Sequence, residues 1–191
     1  MIGLLGLTLL TCSIVSQPFW LWVTRHWEKK GALMLGMVIG LVGFLGMPWA
    51  HVGWHLFPMD GPSLPYTLGI FYILGGIGNG AFMSIPYSMV ADAADIDELA
   101  SGKRDEGLYY GIYNFAYKLG TSISLLASGL MLHVIGFKQG APTQTETVAY
   151  YLAMAPSYLL ILISPFVVLA LSRYSISRSR HNAVRVQLDG R

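Results

Sequence analysis

Charged side chains are scarce in this 191-residue chain, and their scarcity indicates its class. Asp, Glu, Lys and Arg make up 12% of the residues, about half the usual share in a soluble domain, while 54% are hydrophobic. This composition predicts an integral membrane protein. The net charge of +2 is small, and the basic residues stand at the ends of apolar segments rather than in a stripe, so we expect no nucleic-acid partner.

Cysteines and recognisable catalytic motifs are also lacking. Cys12 is the only cysteine, so it can form neither an intrachain disulfide nor a cysteine metal site. The apolar segments contain no pairing of a nucleophile with a base and no cofactor motif. We therefore predict that the chain is not an enzyme and that it binds no cofactor or structural metal.

Long apolar runs are what the chain has in abundance. They extend from about 2 to 22, 32 to 50, 65 to 90, 107 to 133 and 149 to 172, and each is long enough to cross a bilayer. Lipid offers no hydrogen-bond partner to an open strand edge, so all five are predicted to be helices. Residues 1–172 would form a partial transmembrane bundle, followed by a basic tail over 173–191 that we expect to be solvated and disordered.

The basic residues predict how the bundle is oriented. Ten of the twelve Lys and Arg lie in the connections 25–30 and 92–106 or in the tail, and only Lys138 lies in a connection on the opposite side. The positive-inside rule places the basic side in the cytoplasm, with the N-terminus outside a cell inner (plasma) membrane. Five spans that begin outside are unusual, which suggests that a preceding helix is missing.

Lys118 is the ionisable residue that stands inside an apolar segment, about eleven residues from its polar end. A lysine near the bilayer centre costs about 2.5 to 3.5 kcal/mol even on lenient insertion scales, and such residues usually serve substrate or ion pathways. At helical spacing it shares a small, polar face with Asn114, Ser122 and Gly129. No acidic residue of the chain lies at membrane depth, so its partner would be a bound anion, a ligand oxygen or a carboxylate on absent helices. A purely structural ion pair is the alternative.

The third span contains a glycine-rich run, Gly75-Gly76-Ile77-Gly78-Asn79-Gly80, followed by Pro86. The run has no preceding strand and no P-loop lysine and serine, which argues against a phosphate cradle. Small residues let membrane helices approach closely, and a proline permits bending. Gly76, Gly80 and Pro86 are therefore predicted to serve either close packing or a hinge.

The connection that follows this span is dense in both signs of charge. Asp92 and Asp95, three residues apart, share a face of the continuing helix, and Arg104 can bind carboxylates in a bidentate way. A solvated charge run is the ordinary interpretation. A cytoplasmic gate that forms ion pairs in one conformation is the more specific one.

These features together resemble a known family. The aspartate pair, the run Gly102-Lys103-Arg104-Asp105-Glu106-Gly107 and the lysine in Lys118-Leu119-Gly120, with residues 18–30 before them, are similar to the C-terminal half of the glycoside-pentoside-hexuronide:cation symporters. That family belongs to the major facilitator superfamily. The similarity covers most of residues 1–172 and implies an all-α integral membrane fold, in which the five spans correspond to helices 8 to 12 of twelve.

The resemblance also implies roles for particular residues. Lys118 would lie between the sugar site and the site of a coupling cation, Na⁺, H⁺ or Li⁺, with Asn114 and Tyr113 as candidate pocket groups. Asp92, Asp95, Arg104 and Arg25 would help to close the cytoplasmic gate. Met83 stands where some members have a pocket aromatic residue, which leaves the sugar or glycoside unidentified.

The family's cation-binding carboxylates lie in its N-terminal half, and this chain contains no counterpart of them. We therefore expect the C-terminal portion of a sugar:cation symporter, truncated or split, that works by alternating access only with the missing half or another copy. The alternative is a non-transporting scaffold that docks its polar helix face on another polytopic membrane protein.

Overall fold

Every regular element of the described residues is an α-helix, as the sequence predicts. The computed structural model describes residues 2–48, 64–141, 144–176 and 178–189, and it contains no strand within them. The end of the second predicted span at residue 50 and the predicted outer connection 51–63 lie outside the described residues. The all-α membrane fold expected from composition is confirmed.

The described residues form seven helices, and four of these are long and apolar enough to cross a membrane. The bent pair formed by the first two helices makes a fifth candidate. The helices are α1 (Ile2–Val15), α2 (Gln17–His26), α3 (Lys29–Pro48), α4 (Leu64–Ser101), α5 (Glu106–Val134), α6 (Glu146–Arg173) and α7 (Arg178–Asp189).

The first predicted span, 2 to 22, is divided into two helices. α1 and α2 meet at Ser16 with a bend of 40°, and α2 continues to His26. Pro18 lies in the first turn of α2, where its missing N–H is tolerated but would interrupt one continuous helix. At this bend, the carbonyl of Ser13 accepts hydrogen bonds from two side chains. They are the Ser16 hydroxyl at 3.0 Å and the side-chain amide of Gln17 at 3.1 Å.

Most of the predicted connection 92–106 continues α4, which extends the helix on which the sequence places both aspartates. α4 runs for 38 residues through Pro86 and both aspartates to Ser101. Gly102 then adopts a φ of +71°, a left-handed conformation that glycine takes without steric cost and that ends the helix. Both aspartates therefore lie on α4, six or more residues before its end.

α4 packs closely against the helices on two sides, and its glycines make this possible. A Cβ atom on Gly78 would lie 2.5 Å from the Cα of Gly40 on α3. On the other side, a Cβ on Gly76 would lie 2.7 Å from the carbonyl oxygen of Leu9, and one on Gly80 would lie 2.9 Å from that of Ser13. The glycine run therefore lies where backbones touch.

Polar side chains join α4 to the bend between α1 and α2. The indole of Trp20 donates to the carbonyl of Ile77 at 2.8 Å, and the side-chain amide of Gln17 donates to the carbonyl of Gly80 at 3.2 Å. The amide of Asn79 donates to the Ser13 hydroxyl at 3.1 Å. These bonds satisfy polar groups that lipid would leave unpaired, so they hold the bent span against α4.

The expectation of a disordered tail is wrong for residues 178–189, which form α7 and pack on α4. His181, Val184 and Leu188 recur at helical spacing, and Val184 is 7% exposed. This stripe gives the basic segment one face to bury, which favours a docked helix over a solvated coil.

Candidate functional site

Lys118 stands near the middle of α5, twelve residues after its first residue, or about 18 Å along the axis. No described residue of α5 is buried, and Lys118 itself is exposed. None of the ion pairs between described residues includes it. Ser122 lies on the predicted face with Lys118, and its hydroxyl donates to the backbone carbonyl of Lys118 at 2.9 Å.

Tyr113 and Asn114 lie one turn before Lys118, at the contact between α5 and α4. The ring of Tyr113 packs edge-on against the ring of Tyr87 on α4, with centroids 4.8 Å apart. The Tyr87 hydroxyl lies 3.5 Å from Oδ1 of Asn114, whose amide group donates to the carbonyl of Tyr110 at 2.8 Å. The two predicted pocket groups therefore share one aromatic neighbour.

Tyr87 is a residue that the sequence reasoning missed. Its ring also stacks with Tyr110 at 6.3 Å, and the Tyr110 hydroxyl donates to the Tyr87 carbonyl at 3.4 Å. The available signal is its position one helical turn after Met83, on the same face of α4. Together, Tyr87, Tyr110, Tyr113 and Asn114 seat the first half of α5 on α4.

Asp92 is the best-buried charged group at one end of the bundle, which we call the charged end. Its side chain is 6% exposed, and Lys29, at the start of α3, places its ammonium 2.6 Å from both carboxylate oxygens. Lys29 also donates to the carbonyl of Ser88 at 3.2 Å. A buried carboxylate is tolerated only when it is paired and hydrogen-bonded in this way.

Residues near the C-terminus complete the surroundings of Asp92. Nε2 of His181 lies 3.2 Å from Asp92 Oδ1 and 3.0 Å from Asp95 Oδ2. The hydroxyl of Tyr174 donates to Asp92 Oδ2 at 3.4 Å. Burial, followed by the charge of Asp92, raises the pKa of Tyr174 well above its usual range, so this hydroxyl keeps its proton. We call Lys29, Asp92, Asp95, Tyr174 and His181 the charged cluster.

The structure brings together two of the four predicted gate residues. Asp92 and Asp95 share the charged cluster, whereas Arg104 binds its near neighbour Glu106 at 2.6 Å, and Arg25 is exposed in the last turn of α2. The hydrogen bond to Glu106 and its charge raise the pKa of Arg104, which stays a cation. The basic side chains in contact with the aspartates are Lys29 and His181.

Lys29 and His181 could not be assigned to Asp92 from the sequence. Lys29 is 63 residues away and His181 is 89 residues away, in a tail whose basic composition favours a solvated end. Helical spacing of His181 with Val184 and Leu188 was the available signal. Among the described residues, no group of three or more His, Cys, Asp or Glu side chains is arranged to hold a metal ion.

The comparison with known proteins identifies the family of this fold. Residues 1–178 match the family model described as MFS/sugar transport protein. The chain belongs to this family. The resemblance to the sugar:cation symporters of the major facilitator superfamily is thereby confirmed, and with it a multi-pass membrane protein.

Relatives within the family are named as symporters and carriers. A symporter of Synechocystis sp. is 29% identical over 99% of this chain and 34% of its own length. The glucuronide carrier protein homolog of Escherichia coli is 24% identical, over 94% of this chain and 37% of its own length. The sodium-dependent lysophosphatidylcholine symporter 1-A of Danio rerio is 26% identical, over 95% and 32% respectively. The chain spans about a third of the length of these relatives.

Proposed function

We propose that this chain is the C-terminal portion of a secondary-active sugar:cation symporter of the cell inner membrane. It works by alternating access together with N-terminal helices supplied by the same or a separate polypeptide. The N-terminus of the segment faces outward and the C-terminus faces the cytoplasm, so the charged end is cytoplasmic. Support comes from the family membership and from ten basic residues on that side.

The exposure of α5 is the main support for a transporter assembled from further helices. This helix is apolar enough to cross a membrane, yet none of its described residues is buried, and Lys118 forms no ion pair with another described residue. An exposed lysine near the bilayer centre is costly unless protein or water surrounds it. α5 is therefore built to be covered by further helices, with Lys118 facing the space between them.

In the assembled protein Lys118 couples the occupancy of the two ligands. An ammonium between the sugar and the cation site bonds sugar oxygens when the coupling cation Na⁺, H⁺ or Li⁺ is bound to N-terminal carboxylates. Without that cation, it pairs with the carboxylates instead. Asn114 and Tyr113 line the sugar side of this space, and Tyr87 holds them in position. No cofactor takes part, and no bond is made or broken.

The substrate class we propose is a glycoside, pentoside or hexuronide. Among the relatives, one name refers to a glucuronide and another to an isoprimeverose transporter, of Lactiplantibacillus pentosus. Asn114 and the tyrosine hydroxyls offer the donors and acceptors that a polyol requires, and aromatic rings suit the apolar faces of a sugar ring. The lysophosphatidylcholine relative makes a lipid substrate the outcome to test against.

Asp92 and Asp95 close the cytoplasmic side of the transporter. In the structure their carboxylates are paired and largely buried, as expected for a closed gate. We propose that Arg104 and Arg25, which lie apart from them here, bind carboxylates of the missing half or of this gate in another conformation. Gly76, Gly80 and Pro86 lie on the helix that would move between these states.

The test reconstitutes the assembled transporter in liposomes. Counterflow with a panel of sugars and a lysophospholipid identifies the substrate, and accumulation driven by an imposed Na⁺, Li⁺ or H⁺ gradient measures the coupling. We expect Lys118→Ala to lower cation-driven sugar accumulation at least about tenfold, as expected for a lost charge-assisted contact worth about 1.5 to 3 kcal/mol. Lys138→Ala is the matched control, because Lys138 lies outside the membrane span and should leave accumulation unchanged. Full cation-driven accumulation by Lys118→Ala would refute the coupling role.

A further inference from the structure

The C-terminal helix α7 is attached to the bundle through one histidine that lies between two aspartates. The His181 side chain is 16% exposed, and its Nε2 atom lies within hydrogen-bond distance of a carboxylate oxygen from each aspartate. Val184, three residues later, is 7% exposed, whereas Val186 is 73% exposed. α7 therefore has one docked face with a titratable group in it.

Among the side chains that ion-pair contacts join here, Lys29, Asp92, Asp95 and His181, the charges balance only when the imidazole is protonated. Asp92 and Asp95 contribute two negative charges and Lys29 contributes one positive charge, so a neutral histidine leaves one negative charge uncompensated. Partly buried charges are costly without compensation. Among the described side chains, the titratable and polar groups near the imidazole come from every neighbouring element: Thr24 on α2, Glu28 just before α3, Lys29 on α3, Asp92 and Asp95 on α4, Tyr174 before α7, and Asn182 on α7.

The hydrogen-bond geometry requires a proton on Nε2, which the imidazolium and one neutral tautomer both carry, and the two facing carboxylates favour the charged form. One ring nitrogen faces both carboxylates, so it must carry a proton to bond either of them. The tautomer with its proton on Nδ1 would direct the Nε2 lone pair at two anions. The imidazolium instead carries a proton on Nε2 and adds a positive charge, which strengthens both contacts.

We propose that His181 makes α7 a proton-dependent latch on the charged end of the bundle. The protonated imidazole holds α7 on α4 across Asp92 and Asp95, and loss of the proton releases α7. Release would leave Asp92 with Lys29 and Tyr174, and would open the cavity of about 120 Å³ that Lys29, Asp92 and His181 line. If the charged end is the cytoplasmic gate, as the proposed function states, cytoplasmic pH would then regulate how firmly that gate closes.

The test measures the docking of α7 rather than transport. Two single-cysteine variants of the full chain, Val184→Cys and Val186→Cys, are made in a Cys12→Ala background and treated with a water-soluble maleimide. The labelling ratio is the rate for Val184→Cys, at the buried position, divided by the rate for Val186→Cys, at the exposed position. This ratio cancels the pH dependence that the two thiols share, because both lie on the same helix. A low ratio means that α7 is docked.

We expect the ratio to be low at pH 5.5 and to rise about tenfold by pH 8. Histidine is the side chain whose charge changes in this part of the pH scale, so this range tests whether its proton controls docking. A ratio that stays constant between these pH values would overturn the proposal.

Two substitutions separate a proton latch from a merely structural contact. His181→Gln removes the titratable group, so the ratio should be high and independent of pH. Asp95→Asn removes one negative charge, so Lys29 and Asp92 balance without a protonated histidine, and the ratio should stay low even at pH 8. If Asp95→Asn instead released α7 as His181→Gln does, the contact would be a simple hydrogen bond and the latch would be disproved.

The outcome is independent of the proposed transport. No substrate or cation gradient enters the labelling assay, so a failed latch would leave the counterflow results standing. Conversely, a chain that transports no sugar could still show the predicted pH dependence of α7.

Discussion

At the scale of single residues, Asp92 is the position where burial and charge conflict most. Its carboxylate is almost fully removed from water and depends on Lys29 at 2.6 Å, on His181 and on Tyr174. Lys29 is less buried, with 25% of its side chain exposed. The two partners should therefore respond unequally to the loss of the other, because only the lysine can reach water.

We predict that Lys29→Met destabilises the protein by about 3 to 5 kcal/mol, the usual cost of leaving a buried charge without its partner. Asp92→Asn should cost less, because Lys29 can turn toward water and the amide still bonds its neighbours. The measurement is the free energy of unfolding in mixed detergent micelles, obtained by SDS titration.

The double variant Lys29→Met with Asp92→Asn provides the control, since it contains no unpaired buried carboxylate. It should be more stable than Lys29→Met alone. Equal stability of the two single variants would contradict the assigned burial of Asp92.

At the scale of elements, the glycines of α4 decide how near its neighbours can come. A Cβ on Gly78 would meet the backbone of Gly40, which cannot move aside as a flexible side chain can, whereas a Cβ on Gly69 in the same helix would meet nothing within 4 Å. Close backbone contact gives membrane helices their dispersion energy, since lipid supplies little hydrophobic drive between them.

Gly78→Ala should separate α3 from α4 and destabilise the protein by about 1 to 3 kcal/mol, as overpacking usually does. Gly69→Ala, the matched control, should be neutral or slightly stabilising because alanine has the higher helix propensity. Thermal unfolding followed by size-exclusion chromatography in detergent would compare the two. Similar losses for both would show that α3 and α4 are not in close contact at Gly78.

The helical elements were predictable from sequence to different degrees. Long apolar runs identified α3, α5 and α6 closely, because hydropathy alone requires a helix in lipid. The break at Ser16 was not predicted, nor was the extension of α4 as far as Ser101, although the sequence places Asp92 and Asp95 on the continuing helix. Hydropathy does not register either feature. The break is indicated by Pro18 after a polar residue, and the extension by a charged run whose residues are compatible with a helix.

The sequence contains a weak signal for α7. The basic residues of the tail favour a solvated end, and only His181, Val184 and Leu188, at helical spacing, favour a docked helix.

At the scale of the whole molecule, the described bundle leaves most of one helix exposed. α5 has no buried described residue, and the chain spans about a third of the length of its relatives. Alternating access requires two sets of helices that move about a central site. The 191 residues should therefore lack transport activity on their own.

We predict that liposomes containing only this chain show no sugar counterflow, and that liposomes in which it is assembled with N-terminal helices of the same family do. Counterflow by the chain alone would contradict this. Stable association with an unrelated polytopic protein, without any uptake, would favour the scaffold instead.

From the order of its residues alone, the chain could be recognised as a membrane protein of a symporter family with a lysine at membrane depth. Those properties follow from hydropathy, from charge counts and from local motifs, all of which are short-range. The partners of Asp92, the bend at Ser16 and the docking of α7 came only from the tertiary structure. Contacts between residues 63 and 89 positions apart depend on how helices pack, and no local pattern states that.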